Sequence, residues 1–289
     1  MSTAPHLEAS GLLLIADASL PAAALEQVVP LLTQGGVGAS AETSPSTGSR
    51  GLLLFDGVLK PEHAQWLRRE PPALLLATRE RDGGPSMWEA LLVGAVLKPS
   101  GTLLPERAEV TRHPLRRVAD IHEAATAAAA AVGAAEGSRV AAGLVADVVH
   151  EISANALLDA PVDAKGEPRY AHRRTEVREV APEDACELVF AVEDGRMWLE
   201  VADRFGGLRP GPFARALDGW GQKVKVDASG GGAGLGLRRI LEHCDTVAAR
   251  VCVGRESRVV CVVDLGDARR RATQPKSLLF CSHEVRAGG

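Results

Sequence analysis

Long apolar runs are missing from this 289-residue chain, although 46% of it is hydrophobic. No stretch approaches the ~20 consecutive apolar residues that span a bilayer. The opening MSTAPHLEASGLLLIAD also lacks the basic n-region of a secretory leader. A soluble, cytoplasmic protein with no membrane partner is the expectation. Cysteine is sparse: Cys186, Cys244, Cys252, Cys261 and Cys281 are odd in number and form no Cys-x-x-Cys pair, which argues against a disulfide framework and a zinc ribbon. Excess charge of either sign is lacking too, with 33 Lys and Arg against 37 Asp and Glu and a net charge of −4. Nothing in that balance supports wrapping a polyanion, so no nucleic acid is expected as a partner. Aromatic residues are few, five Phe, four Trp and one Tyr. The core must therefore be built from small aliphatic side chains.

What is present is alternation. Short apolar runs at Gly11–Ala16, Gly51–Phe55, Ala73–Ala77 and Val93–Leu97 are separated by helix-like Pro21–Leu32, His63–Arg68 and Met87–Leu92. Such alternation predicts a doubly wound, mostly parallel α/β sheet. Gly35–Arg50 has no periodicity and reads as a loop or weak element, and Pro99 to Arg107 as a connector. From about His113 the pattern changes. Helices at Ile121–Ala135 and Ser138–Leu158 precede strand candidates Leu188–Val192 and Met197–Ala202, a Gly/Pro-containing stretch Arg204–Gly236, a helix Leu237–Cys244, and strands at Ala248–Val253 and Arg258–Leu265. Grouped helices and strands are the α+β pattern. With about 150 residues per domain as a prior, two domains are expected, 1–105 and 106–289.

The glycine cluster Gly230 to Gly236 is not a Walker loop, since no Gly-Lys-Ser/Thr follows, and no window of it has the G-x-G-x-x-G spacing. His150-Glu151 opens like a zinc-protease helix, but Ala154 stands where the second histidine belongs. No G-x-S-x-G elbow supports a serine hydrolase.

Three segments survive. In His150-Glu151-Ile152-Ser153-Ala154-Asn155-Ala156, Glu151 and Asn155 are four apart and share one helix face. The strand-like Leu199-Glu200-Val201-Ala202 runs into Asp203-Arg204-Phe205-Gly206-Gly207. Gly232-Ala233-Gly234-Leu235-Gly236-Leu237 runs directly into a helix, where glycine-rich backbone can present N–H groups to phosphate. Taken singly, each also fits a bland role: a solvated helix face, a strand-ending turn, a flexible loop. Taken in order, they resemble the N box, the first glycine box (D-x-G-x-G) and the second glycine box (G-x-G-L-G-L) of the GHKL ATPase superfamily, the group of gyrase, heat-shock chaperone, histidine-kinase and mismatch-repair ATPases.

The resemblance covers residues 106 to 266 and implies an α+β ATPase sandwich that binds ATP and Mg²⁺. It assigns Asn155 to the metal and Glu151 to positioning or deprotonating the attacking group. Asp203 becomes the reader of the adenine amino group, with Gly206, Gly207, Gly232, Gly234, Leu235 and Gly236 as nucleotide-binding backbone. Ser257 stands where the family has the threonine of a Gly-Thr pair, although a hairpin turn explains it equally. Phe205 departs from the pattern, replacing the first glycine with a ring. Lys165, Arg169, His172, Arg173 and Arg174 read either as contacts to phosphates or a partner, or as a solvated loop; Arg269-Arg270-Arg271 reads as a solvated end.

In the first unit, Asp56, Thr78 and Lys98-Pro99 each close an apolar run, and Asp17 follows the first one. In a parallel sheet such residues gather at the carboxyl ends of strands. The set resembles a response-regulator receiver domain, with Asp56 as phosphate acceptor, Thr78 as switch, Lys98 as phosphoryl holder and Asp17 as metal-binding acid. One acid where receivers have two, and no recognisable second strand, leave a pseudo-receiver open. The combined expectation is an ATP-binding signal-transduction protein, a kinase of histidine-kinase or anti-sigma-factor serine-kinase type acting on a regulatory or phospho-acceptor protein. The alternative is an inactive nucleotide-sensing regulator. His113 and His122 are acceptor candidates, and a homodimer is left open. Topoisomerase, chaperone and mismatch-repair roles are disfavoured, because the transducer domain those ATPases carry is not recognisable after residue 266.

Overall fold

The computed structural model describes residues 12–17, 19–20, 24–41, 51–69, 71–79, 84–221, 233–266 and 274–284. The Arg269–Arg271 run, residues 42–50 of the expected loop, and Gly232 lie outside them.

The fold is mixed α/β around a ten-stranded sheet ordered β2-β1-β3-β4-β10-β8-β9-β7-β6-β5. The first four strands are β1 (Leu12–Ala16), β2 (Ala39–Ala41), β3 (Gly51–Phe55) and β4 (Ala73–Ala77), which pair with one another in parallel. β2 is the strand that Gly35–Arg50 failed to announce. Helices α1 (Ala24–Gln34), α2 (His63–Leu67) and α3 (Met87–Leu97) belong to this half. The second half contributes β5 (Thr111–Leu115), α4 (Val118–Ala134), α5 (Arg139–Ala154), β6 (Cys186–Glu193), β7 (Arg196–Asp203), α6 (Gly211–Asp218), α7 (Ala233–His243), β8 (Thr246–Cys252) and β9 (Glu256–Asp264). These strands pair antiparallel. Finally β10 (Ser277–His283) inserts between the halves, antiparallel to β4 and parallel to β8.

Period-two burial explains the layers. Leu52 and Leu54 of β3, Leu74 and Leu76 of β4, and Leu279 of β10 face a core shared with α1 and α3. Leu53 and Phe55, Leu75 and Ala77, and Leu278 and Phe280 face the opposite core, covered by α2 and α4 to α7. Helix and π-turn residues Arg139–Asp159 are long and apolar enough to cross a membrane by length and composition. Their apolar stripe Val145, Val148, Val149 and Ile152 is instead buried on the sheet.

One expected strand is a helix. Val93–Leu97 forms the second half of α3, which buries Ala90, Leu92, Val93 and Val96. A short, uniformly apolar run carries no periodicity to separate the two states. The overlooked signal was Ser86-x-x-Glu89, a capping-box spacing just before the run: Ser86 is the N-cap residue and its hydroxyl donates to Glu89. The place beside β4 is taken by β10.

The division at 105/106 falls in the connector, and the sheet runs across it. The connector is pinned as well. Buried Glu200 of β7 accepts from the Thr102 hydroxyl and the Leu103 amide. Arg250, 1% exposed, donates to the carbonyls of Ala95, Ser100 and Gly101. Between the halves, Glu89 is fully buried and accepts from Arg79 Nε (2.7 Å) and from the hydroxyls of Ser86, Thr246 and Ser277. One carboxylate therefore joins the loop after β4, α3, β8 and β10.

Candidate functional site

A cavity of about 780 Å³ opens between α5, α6, α7 and the sheet. Its floor is apolar, with Val201, Val247 and Val259 from the strands and Ile152, Leu237 and Ile240 from the helices. Asn155, Asp159, Asp203, Ser257 and the arginines Arg209, Arg215 and Arg238 bring polar groups to it.

α5 begins at Ser138, whose hydroxyl accepts the Ala141 amide at 3.1 Å. It ends in a π-turn, Asn155–Asp159, closed by the Ala160 amide donating to the Asn155 carbonyl at 2.9 Å. That widened turn carries both Asn155 and Asp159 to the cavity wall; π-turns inside helices are frequent at functional sites. Burial lifts the Asp159 carboxyl above its ordinary range, opposed by Arg174, which pairs with it at 3.1 Å.

Asp203 ends β7 directly opposite Ser257 of β9. It is 8% exposed, and one carboxylate oxygen accepts the amides of Phe205 (2.8 Å), Gly206 (3.2 Å) and Ser257 (3.4 Å). Burial raises its pKa, and these bonds with the Ser257 hydroxyl only partly offset the rise. Ser257 Oγ also accepts the Leu208 amide at 3.3 Å, which ties the start of the following loop to the strand end.

Phe205 does not line the cavity; Gly207, Leu208 and Arg209 do. The position that demands glycine is Gly206, with φ +60. A Cβ there would stand 2.2 Å from the Cys252 carbonyl oxygen and 2.7 Å from the Arg255 amide. Gly206→Ala should therefore cost about 2–4 kcal/mol, read as a lower urea midpoint, whereas Gly207, with open space around it, should accept alanine with little loss.

α7 starts at Ala233, so Gly234, Leu235 and Gly236 lie in a helix that begins earlier than the expected Leu237. Gly236 packs on α5: a Cβ on it would stand 2.3 Å from Glu151 Oε2. Arg239, one turn further on, places Nη1 3.3 Å from Glu151 Oε1. Glu151 itself is not among the residues lining the cavity; its carboxylate lies against α7 instead. Of the arginines at the wall, Arg238 is held by Glu242 (2.8 Å) and the Gly219 carbonyl (3.0 Å), and Arg209 donates to the Leu208 carbonyl at 3.2 Å.

Helix α6, which supplies Phe213 and Arg215 to the wall, was not read from the sequence. Its signals were Pro210, Pro212 and the Phe213/Leu217 pair before Gly219. Arg169 is committed elsewhere, to Asp184 at 2.9 Å. His113 stacks on Phe190, and His122 meets His150 edge-on at 4.4 Å; neither histidine lines the cavity. None of the five cysteines is joined in a disulfide.

In the first half, Asp17, Asp56 and Thr78 follow the parallel neighbours β1, β3 and β4 and so meet at one sheet edge. The Asp17 and Asp56 carboxylates accept the amides of Ser19 and Val58, each at 2.9 Å. Burial acts to raise Asp17, but the Ser19 hydrogen bonds and the nearby His63 and Lys60 leave it below its ordinary value. Thr78 donates its hydroxyl to the Phe55 carbonyl at 3.3 Å. Lys98 does not join them. It caps the C-terminus of α3. That helix starts where Glu89 meets Thr246 at the beginning of β8 and ends where Ser100 and Pro99 meet Arg250 and Cys252 at its close. Because β8 runs antiparallel to β4 through β10, Lys98 lies at the sheet edge opposite Thr78.

No family model matches this chain, and no curated protein matches it. Among solved structures, the SiaB-SiaC complex from Pseudomonas aeruginosa contains a chain 19% identical, with a TM-score of 0.35, over 54% of this chain and 88% of that one. A likeness at that level carries no function across.

Proposed function

We propose that this chain is an adenine-nucleotide-binding signalling protein of the GHKL type, with a receiver-like first half and an ATPase-sandwich second half, that passes a phosphoryl group to a partner protein. The observation that carries the reading is convergence. The N-box helix, the end of β7, the second residue of β9 and the glycine-started helix α7 are remote in sequence, yet they surround one cavity whose volume suits a cofactor-sized ligand.

The residues fit that ligand. Asp203 is a buried carboxylate in the cavity wall, suited to accept an exocyclic amine. The apolar floor suits a base, and Arg209, Arg215 and Arg238 suit phosphates. Asn155 offers a neutral oxygen for Mg²⁺, an ion that keeps few protein ligands and shares phosphate oxygens. The ion would neutralise phosphate charge. Transfer then rests on the chain's positioning of the donor and exclusion of water.

Incubation with γ-labelled ATP and Mg²⁺, alone and with lysate, tests this. Label should pass to a second protein. Asn155→Ala should weaken Mg²⁺-dependent binding about ten-fold or more, and Glu151→Ala should stop transfer while sparing binding. The set-back position of Glu151, paired with Arg239, favours a second reading, a sensor that binds ATP without transferring it. Tight binding with no labelled product in any mixture would select that reading.

A further inference from the structure

The acid edge of the first half and the cavity of the second are joined by one short segment. After Asp56 the chain turns through Gly57 and enters α2. Two separate contacts leave this segment for two of the three helices that wall the cavity, α6 and α7.

The first contact is α2 on α6. Trp66 and Leu67 are buried in the same core as Phe213, Ala214, Ala216 and Leu217, and Arg68 forms an ion pair with Asp218. Phe213, Arg215 and Ala216 of that helix line the cavity. The second contact runs through Gly57. A Cβ on it would stand 2.4 Å from Pro275 Cβ, and its carbonyl accepts the Lys276 amide at 2.9 Å. Lys276 Nζ in turn donates to the carbonyls of Glu242 (3.0 Å) and Cys244 (2.9 Å), at the end of α7. Leu237, Arg238 and Ile240 of α7 line the cavity.

At its other end the segment faces the acids. His63 of α2 is 3% exposed and accepts the Lys60 amide at 3.2 Å through Nδ1. It lies in the field of both Asp17 and Asp56. Its Nε2 is buried without a hydrogen-bond partner among the described residues. The loop between them is held by the Asp56 carboxylate on the Val58 amide.

We propose that Asp56–Arg68 is a coupling element: a change of charge at Asp56 sets the nucleotide affinity of the cavity through α6 and α7, and nucleotide in the cavity orders α2. The inference rests on the nucleotide reading of the cavity. Contiguity alone does not establish coupling; reciprocity does, because two linked sites must change each other's free energy equally. A change at Asp56 that moves nucleotide affinity therefore requires nucleotide to act back on the same segment.

The test uses the full chain and ATP with Mg²⁺. Calorimetry compares the unaltered protein with Asp56→Asn, which removes charge and keeps an acceptor for Val58, and with Arg68→Glu, Asp218→Lys and the two together. Hydrogen exchange on the unaltered protein follows amides 57–68 with and without ATP. The expected results are a change in Kd of about five-fold or more for Asp56→Asn, loss of affinity in each single charge reversal with recovery in the double, and slower exchange in α2 when ATP is present. Binding of ATP with Kd within two-fold throughout and no change in α2 exchange overturns the coupling and leaves the nucleotide reading intact. No heat with ATP in the unaltered protein overturns both.

Discussion

Glu89→Ala is expected to lower stability by about 3–5 kcal/mol, the range for removing one partner of a buried ion pair. The side chain is fully buried and takes four donors, the Arg79 guanidinium and the Ser86, Thr246 and Ser277 hydroxyls. Its loss leaves those donors without that acceptor at a buried position. Arg79 is the worst affected, although its Nη atoms keep the carbonyls of Pro275 and Asp245. In a chain of this length the melting temperature should fall by on the order of 10 °C. Glu89→Gln keeps the shape and one acceptor, and should cost less. Because Glu89 bridges β4, α3, β8 and β10, the variant should also loosen the join between the halves. Trp88 lies 5.6 Å from the Arg79 guanidinium carbon and 5.4 Å from the Trp198 ring. Tryptophan fluorescence in urea should therefore report an early step at the join, ahead of the loss of helical signal. A single unaltered transition in Glu89→Ala would contradict the role given to this carboxylate.

The same join marks where sequence reasoning stopped. Gly51–Phe55 and Ala73–Ala77 were legible to the residue because each five-residue run is isolated by polar or turn-forming residues on both sides, which leaves no room for a helix. The helix carrying Glu151 and Asn155 was legible because 3.6-residue periodicity persists over its length. The fate of Val93–Leu97 was not, because an apolar run without alternation satisfies either a strand or an all-round buried helix. With that run taken as a strand, Lys98 was placed at the wrong edge of the sheet. β10 carries no local mark of its position: Ser277–His283 is an ordinary buried strand, and only its pairing with β4 on one side and β8 on the other makes ten strands one sheet. Such pairing joins residues some 200 positions apart, as Ala77 and Ser277 show, and no window reads across that distance. In the candidate site, Asn155, Asp203, Ser257 and α7 line one cavity, while the need for glycine falls on Gly206, one residue later than the Phe205 departure suggested. Arg215 was missed because the proline and Phe213/Leu217 signals of α6 are short and lie within a Gly/Pro-containing stretch, and Asp159 because the π-turn that presents it has no sequence signature beyond ordinary helical spacing.

Asp203→Ala should remove measurable ATP binding, a loss of about 100-fold or more in Kd, since a hydrogen bond to a charged group is worth about 1.5–3 kcal/mol and the variant also strands the amides of Phe205, Gly206 and Ser257. The informative companion is Asp203→Asn. Its carbonyl oxygen can still accept those amides, so the loop after β7 stays in place, but its other group is a donor. Adenine presents a donor at the exocyclic position and guanine an acceptor. Asp203→Asn should therefore weaken ATP about 10- to 100-fold and narrow or reverse the preference over GTP. Acid should act in the same sense as the substitution. Burial places the Asp203 pKa above the ordinary carboxylate value, and only the ionised group accepts a hydrogen bond from adenine with both oxygens free of protons. Binding thus favours the ionised form: ATP affinity is full above the raised pKa and declines as pH falls through it, at a pH where ordinary carboxylates are still charged. In Asp203→Asn that decline should vanish, leaving only the titration of the ligand's phosphates. Calorimetry with ATP and GTP at several pH values separates the cases, and an ATP preference unchanged by Asp203→Asn would mean that some other group reads the base.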